Sequence, residues 1–175
     1  KKVFQGNVWN FLCLECEIPG PGDYKTTYAG DTPIIAVRDE AGNINAMVNR
    51  CAHKGSLVCY KPRGNVKELA CVYHNWVYDL RGNLTAVAFR RGVGGKGGLT
   101  EEFKNSEHGL KRLRVDVFRG LVFGTFSEKT EPVADYLGDE LVSAVDRVLI
   151  KPLKVLGYYS QIFKNNWKLY VENNK

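Results

Sequence analysis

Histidine is scarce in this chain, with three residues among 175, and methionine occurs once. No apolar run approaches the roughly 18 residues that cross a bilayer, so no membrane span is expected. The opening Lys1-Lys2-Val3-Phe4 passes at once into Gln5-Gly6-Asn7. That leaves no apolar region for a secretory signal. Cysteine occurs five times, an odd number. Its spacing lacks the pattern of a secreted disulfide framework and points to metal in a reducing compartment. Internal repeats and low-complexity tracts are missing. No acid lies between positions 50 and 67, where Arg50, Lys54, Lys61, Arg63 and Lys67 fall. Elsewhere basic residues are scattered. The formal charge of +6 and the isoelectric point of 9.0 therefore do not argue for a nucleic-acid partner. The local basic stretch would suit an acidic electron carrier, because opposite charge accelerates encounter.

Because histidine is scarce, its placement is informative. Two of the three stand beside cysteine, in Cys51-Ala52-His53 and Cys71-Val72-Tyr73-His74. Each short segment offers one thiolate and one imidazole. Two mixed segments suit a two-iron cluster in which one iron takes both sulfurs and the other both nitrogens. Zinc also accepts two sulfurs and two nitrogens. Zinc modules, however, usually pair two Cys in one knuckle and two His in another. His108 lies in Asn105-Ser106-Glu107-His108-Gly109 and is expected at the surface. Cys13-Leu14-Glu15-Cys16 sits in an apolar run whose alternation turns the two thiols apart, so both are read as buried structural residues. Gly92-Val93-Gly94-Gly95-Lys96-Gly97 follows no buried strand and is not read as a dinucleotide site. Asn83-Leu84-Thr85 is a glycosylation sequon, irrelevant if the protein stays in a bacterial cytoplasm.

The first two-thirds reads as β structure. Strands are expected at 8–14, 24–28, 34–37 and 44–48, and in two further hairpins, 77–80 with 84–88 and 115–118 with 121–126. Gly, Asn and Asp turn signals separate them. Residues 89–109 are expected to form a long loop. A short helix is expected to open at Thr130-Glu131-Pro132 and end near Gly138, with a second capped by Asp139. Leu141, Val145, Val148 and Leu149 would form one face of that second helix. Residues 155–163 read as a strand. Asn165-Asn166 opens a last helix carrying Trp167, Tyr170 and Val171.

The surrounding residues resemble the Rieske domain of aromatic-ring-hydroxylating oxygenase large (α) subunits. The resemblance is carried by Val48-Asn49-Arg50-Cys51-Ala52-His53-Lys54-Gly55 and Cys71-Val72-Tyr73-His74-Asn75-Trp76-Val77-Tyr78-Asp79-Leu80-Arg81-Gly82-Asn83-Leu84. It extends through Asp135-Tyr136-Leu137-Gly138 to Asn166-Trp167-Lys168-Leu169-Tyr170-Val171-Glu172-Asn173, which is similar to the start of the family's catalytic domain. Asn75 departs from the family's usual Gly, and Lys54 from its frequent Arg.

The resemblance implies a mainly β Rieske fold of antiparallel sheets with a small cluster-binding subdomain, short helices and the beginning of an α+β catalytic domain. It implies a Rieske [2Fe-2S] domain over 1–150, with cluster loops at about 49–85, and an incomplete catalytic domain over 151–175. Cys51 and Cys71 would hold the buried iron, and His53 and His74 the outer one. Lys54, Tyr73 and Trp76 would surround them, and Arg50, Lys61, Arg63 and Lys67 would face a partner. The implied function is electron transfer from a ferredoxin or NAD(P)H-dependent reductase to a mononuclear non-heme iron(II), which hydroxylates an aromatic compound, with an aromatic carboxylate favoured. That iron belongs to the full-length subunit, an α trimer with or without a β subunit. No catalytic residue falls in this chain, which is read as a fragment inactive by itself. A free-standing Rieske ferredoxin and a structural zinc domain are the other readings. With Trp76 where quinol-oxidising relatives carry Ser, few hydroxyls should reach the cluster sulfurs, and the potential should be low.

Overall fold

A strand buried on both faces lies at the centre of the molecule. The computed structural model describes residues 3–173, so Lys1, Lys2, Asn174 and Lys175 lie outside the described residues. Its strands are Asn10–Leu14 (β1), Asp23–Ala29 (β2), Thr32–Arg38 (β3), Ile44–Val48 (β4), Arg63–Asn65 (β5), Leu69–Ala70 (β6), Val77–Tyr78 (β7), Leu84–Ala86 (β8), Arg112–Phe118 (β9) and Leu121–Thr125 (β10). Seven form one sheet in the order β1-β10-β9-β4-β3-β2-β5, and β6-β7-β8 form a second. Every pairing is antiparallel. Side chains alternate along a strand. Ile34 and Ala36 of β3 therefore enter a core with Leu12, Cys13, Leu113 and Val122. Ile35 and Val37 enter the opposite core, with Met47, Leu69, Tyr78, Leu80, Leu84, Leu110 and both cluster-loop cysteines. The small sheet thus rests on one face of the large one.

Two turns with Asp, Gly and Asn at the same offsets join these layers. Asp39-Glu40-Ala41-Gly42-Asn43 links β3 to β4, and Asp79-Leu80-Arg81-Gly82-Asn83 links β7 to β8. In the first, Asp39 Oδ1 accepts the Ala41 and Asn43 N–H groups at 3.0 and 2.9 Å. In the second, Asp79 Oδ1 accepts those of Arg81 and Asn83 at 2.9 and 2.8 Å. Side-chain acceptors of this kind stabilise tight turns. Gly42 and Gly82 supply the left-handed residue, at φ 85° and 82°. Arg81 Nε then reaches Asp39 Oδ2 at 3.1 Å and ties one turn to the other. Burial raises the Asp39 carboxyl. Hydrogen bonds from the Asn43 backbone, Asn45 and Arg81 outweigh that and hold it below the ordinary carboxylate value.

The later elements depart in part from expectation. The helical run Val133–Val148 (α1) breaks at Gly138, φ 73° and ψ 164°, so two segments meet there as expected. Its apolar face does not become a core. Leu141 is 55% and Val148 76% exposed, and only Val133 of the helix is buried. The helix is anchored at two points: Val133 N–H donates to Asp116 at 3.0 Å, and Arg119 pairs with Asp146 at 2.6 Å. Residues 155–163 form no strand, since they have no strand partner among the described residues. Leu156 and Ile162 are 93% and 92% exposed. Backbone groups without a ladder stay solvated. Trp167–Asn173 (α2) begins where expected, with Asn166 Oδ1 accepting the Lys168 N–H at 3.1 Å. Strands β5 and β6 were not expected, being short and weakly apolar.

Candidate metal centre

The two cysteine–histidine loops share one backbone pattern. Cys51 N–H donates to Ser56 O at 2.8 Å, and Gly55 N–H returns to Cys51 O at 2.9 Å. Cys71 N–H donates to Trp76 O at 2.8 Å, and Asn75 N–H returns to Cys71 O at 2.9 Å. The fifth residue of each loop is left-handed, Gly55 at φ 71° and Asn75 at 53°. Asn enters that region more readily than most side chains. Asn75 therefore preserves the loop where Gly is usual. Buried Asn49 secures the first loop from behind. Its Oδ1 accepts the Val58 and Cys59 N–H groups, both at 2.9 Å, and its Nδ2 donates to Cys59 O at 2.7 Å.

Sulfur lies inside and nitrogen outside. Cys51 and Cys71 are buried, His53 is half-buried and His74 exposed. The two imidazoles turn toward each other, Nδ1 to Nδ1, at 3.1 Å. Burial first, then the charges of His74 and Lys54, hold the His53 imidazole below its ordinary value. Tyr78 approaches from the core. Its hydroxyl lies 3.1 Å from Cys51 Sγ and accepts the Ala52 N–H at 3.0 Å. Burial pushes the Cys51 thiol up, against the opposing Tyr78 hydrogen bond. Trp76 is stacked on the His53 ring, 4.8 Å between centroids and 11° from parallel. Tyr73 leans on His74 at 3.9 Å. A cleft of about 660 Å³ opens over both imidazoles, walled by Tyr73, Trp76, Phe89, Leu99, Phe103 and His108.

A family described as the Rieske [2Fe-2S] domain matches residues 8–94. The chain carries a Rieske [2Fe-2S] domain. It is 51% identical, over all 175 residues, to the terminal oxygenase component subunit alpha 2 of terephthalate 1,2-dioxygenase from Comamonas sp., covering 42% of that protein. It is 50% identical to the large subunit of anthranilate 1,2-dioxygenase from Burkholderia cepacia, covering all of this chain and 41% of that one. The structure of naphthalene 1,2-dioxygenase from Rhodococcus sp. bound to indole superposes with a TM-score of 0.74 at 34% identity, over 84% of this chain and 32% of that one. The chain thus spans about two-fifths of the length of these curated relatives.

The residues of the Rieske domain fit a [2Fe-2S] cluster. Two buried thiols and, outside them, two converging imidazoles form a sulfur pair and a nitrogen pair, the set that the two irons of such a cluster take. All five cysteines are free of disulfides.

Other expected residues have varied surroundings. Arg50 donates to Gly55 O at 3.0 Å and so braces the first loop. Arg63 lies 4.1 Å over the Tyr158 ring. Lys54, Lys61 and Lys67 are exposed. Cys13 is buried, its thiol pushed up to about 12 by burial above all, whereas Cys16 is exposed, contrary to expectation. The strand ends at Leu14, and Cys16 falls in the tight turn Glu15–Glu17. The Gly-rich segment closes a small hairpin through Val93 and Lys96. The sequon residue Asn83 donates to Asp79 Oδ2 at 2.7 Å.

Three residues of the site escaped the sequence reading. Tyr78 had an unused signal, the alternation of Trp76, Tyr78 and Leu80 toward one face. Asn49 carried no signal beyond its place two residues before Cys51. His108, expected at the surface, is half-buried and stacks on Phe103 at 4.3 Å.

Proposed function

We propose that Cys51, Cys71, His53 and His74 hold the Rieske cluster, and that the chain relays single electrons within a ring-hydroxylating oxygenase. The observation that carries this is the convergence of two imidazole Nδ1 atoms, 3.1 Å apart, beside two buried thiols in loops of equal backbone. When bound, the cluster supplies a one-electron couple. The chain's own residues hold it, shield its sulfur side and leave the imidazole side at an open cleft. Cys51 and Cys71, in the core shared with Met47 and Leu69, would hold one iron, and His53 and His74 would hold the other.

By its likeness to oxygenase large subunits, the domain receives electrons from a ferredoxin or an NAD(P)H-dependent reductase. It delivers them to a mononuclear non-heme iron(II) held by the longer protein, where an aromatic carboxylate is hydroxylated. The first two relatives are named for terephthalate and anthranilate, both aromatic carboxylates. Arg50, Lys54, Lys61, Arg63 and Lys67, all exposed, are the basic residues offered to an acidic donor. Residues 1–150 form the Rieske unit, and 151–175 begin the catalytic one. The full-length subunit assembles as an α trimer, with or without a β subunit, in a reducing cytoplasm.

Iron and acid-labile sulfide should each be two per chain, with a red-brown absorption band and the electron paramagnetic resonance of a one-electron-reduced Rieske centre. Colourless protein carrying zinc would refute the assignment. The isolated chain, given reductase, NADH, O2 and aromatic acids, should form no product, whereas the full-length protein should.

A further inference from the structure

We propose that His108 is a positioning residue for His53, acting through Trp76. The proposal rests on the cluster reading above. The long segment before His108 has little regular structure, but its end is firmly built. Asn105–Glu107 makes one tight turn, closed by His108 N–H to Asn105 O at 3.0 Å. His108 Nδ1 lies 2.9 Å from Lys104 O. A carbonyl only accepts, so Nδ1 carries the proton, and the ring is fixed in plane and tautomer.

That fixed ring stacks on Phe103 at 4.3 Å and 28°. Both stand nearly perpendicular to Trp76: Phe103 at 5.7 Å and 80°, His108 at 5.9 Å and 72°. Trp76 is buried and lies parallel to His53. Two nearly perpendicular aromatic neighbours therefore set the plane of the indole, and the indole sets the plane of His53. Arg90 steadies Phe103 from outside, with its guanidinium 5.6 Å over the ring and Nη2 donating to Phe103 O at 3.1 Å. The orientation of a ligand imidazole is commonly governed by groups behind it, and metal properties follow. Phe could supply the ring contacts of His108. The tie to Lys104 adds the lock.

The test compares native protein with His108→Ala and His108→Phe, each loaded with its cluster and carrying the full chain. Two iron and two sulfide per chain are expected in all three. His108→Ala should change the g-values of the reduced centre. It should also alter the reduced-to-oxidised ratio at a fixed potential by about threefold, the scale of one aromatic contact. His108→Phe should return both toward native values. Native-like signals from His108→Ala overturn the proposal, as does a Phe variant displaced as far as Ala. Should His108→Ala fail to load, Phe103→Leu removes the partner ring with little change in volume. Changed g-values and a changed reduced-to-oxidised ratio in that variant support the proposal, and native-like values overturn it. A native protein without any two-iron signal overturns the cluster reading itself.

Discussion

The Tyr78 hydroxyl accepts the Ala52 N–H, so its own proton is free to point at Cys51 Sγ, 3.1 Å away. A donor to a ligand sulfur favours the state with more negative charge on that sulfur, which is the reduced one. Tyr78→Phe should therefore lower the midpoint potential. A difference of about 1 kcal/mol between the two states corresponds to roughly 40 mV for one electron. Redox titration with unchanged iron content is the measurement, and an unchanged or raised potential would contradict the assigned donor direction. Asp39 gives a second expectation. Its folded pKa is depressed, so its contribution is whole above the unfolded value of about 3.9 and fades as pH falls through the lower folded value. Asp39→Asn should cost about 1–3 kcal/mol in urea unfolding, because backbone donors and Arg81 lose a charged acceptor. The deficit should be equal at pH 7 and pH 5, and one that shrinks toward pH 5 would place the carboxyl value above normal instead. At this scale the four candidate ligands were legible because Cys and His carry their chemistry in their identity. Tyr78, Asn49 and His108 were harder to find, because their importance lies in what they touch.

The two ligand loops act as one repeated element, built with different residues. Each needs a left-handed fifth residue, and the chain meets that need with Gly55 and Asn75. Asn75→Gly should leave stability within about 0.5 kcal/mol of native and retain the cluster. Asn75→Val should cost roughly 1–3 kcal/mol, because a β-branched residue is strained at positive φ. Urea midpoints with iron retention would decide, and an unaffected Val variant would mean the loop takes another backbone. Hairpins were the most legible elements. The Asp-to-Asn five-residue turns at 39–43 and 79–83 announce themselves through Asp, Gly and Asn at fixed offsets. Periodicity misled at α1 and at 155–163. An apolar pattern states which face would be buried, but burial also needs a partner surface, and none of the described elements covers Leu141, Leu156 or Ile162.

At the scale of the whole molecule, both cores are closed by residues 12–122, and α1 adds only Val133 as a buried residue. Beyond it, Tyr158 and Trp167 are among the described residues that touch the rest. Tyr158 receives Arg63 at 4.1 Å and Lys25 at 5.2 Å over its ring, and Trp167 meets Phe4 at 5.4 Å. If residues 1–150 are a complete Rieske unit, removing 151–175 should leave the absorption and resonance spectra of the loaded protein unchanged. Unfolding stability should fall by about 2–3 kcal/mol, the sum of two exposed cation–π contacts, one edge-to-face pair and the Tyr158 hydrogen bond to Glu17. Binding of an apolar dye should fall as well, because Leu156, Tyr159 and Ile162 leave with the segment, at 93%, 86% and 92% exposure. That combination of a small loss of stability and a loss of dye binding separates a passive extension from an integral part of the fold. A shortened chain that no longer retains iron would move the domain boundary past residue 150, and Tyr158 on the β2–β5 edge would then be part of what holds the cluster loops in place.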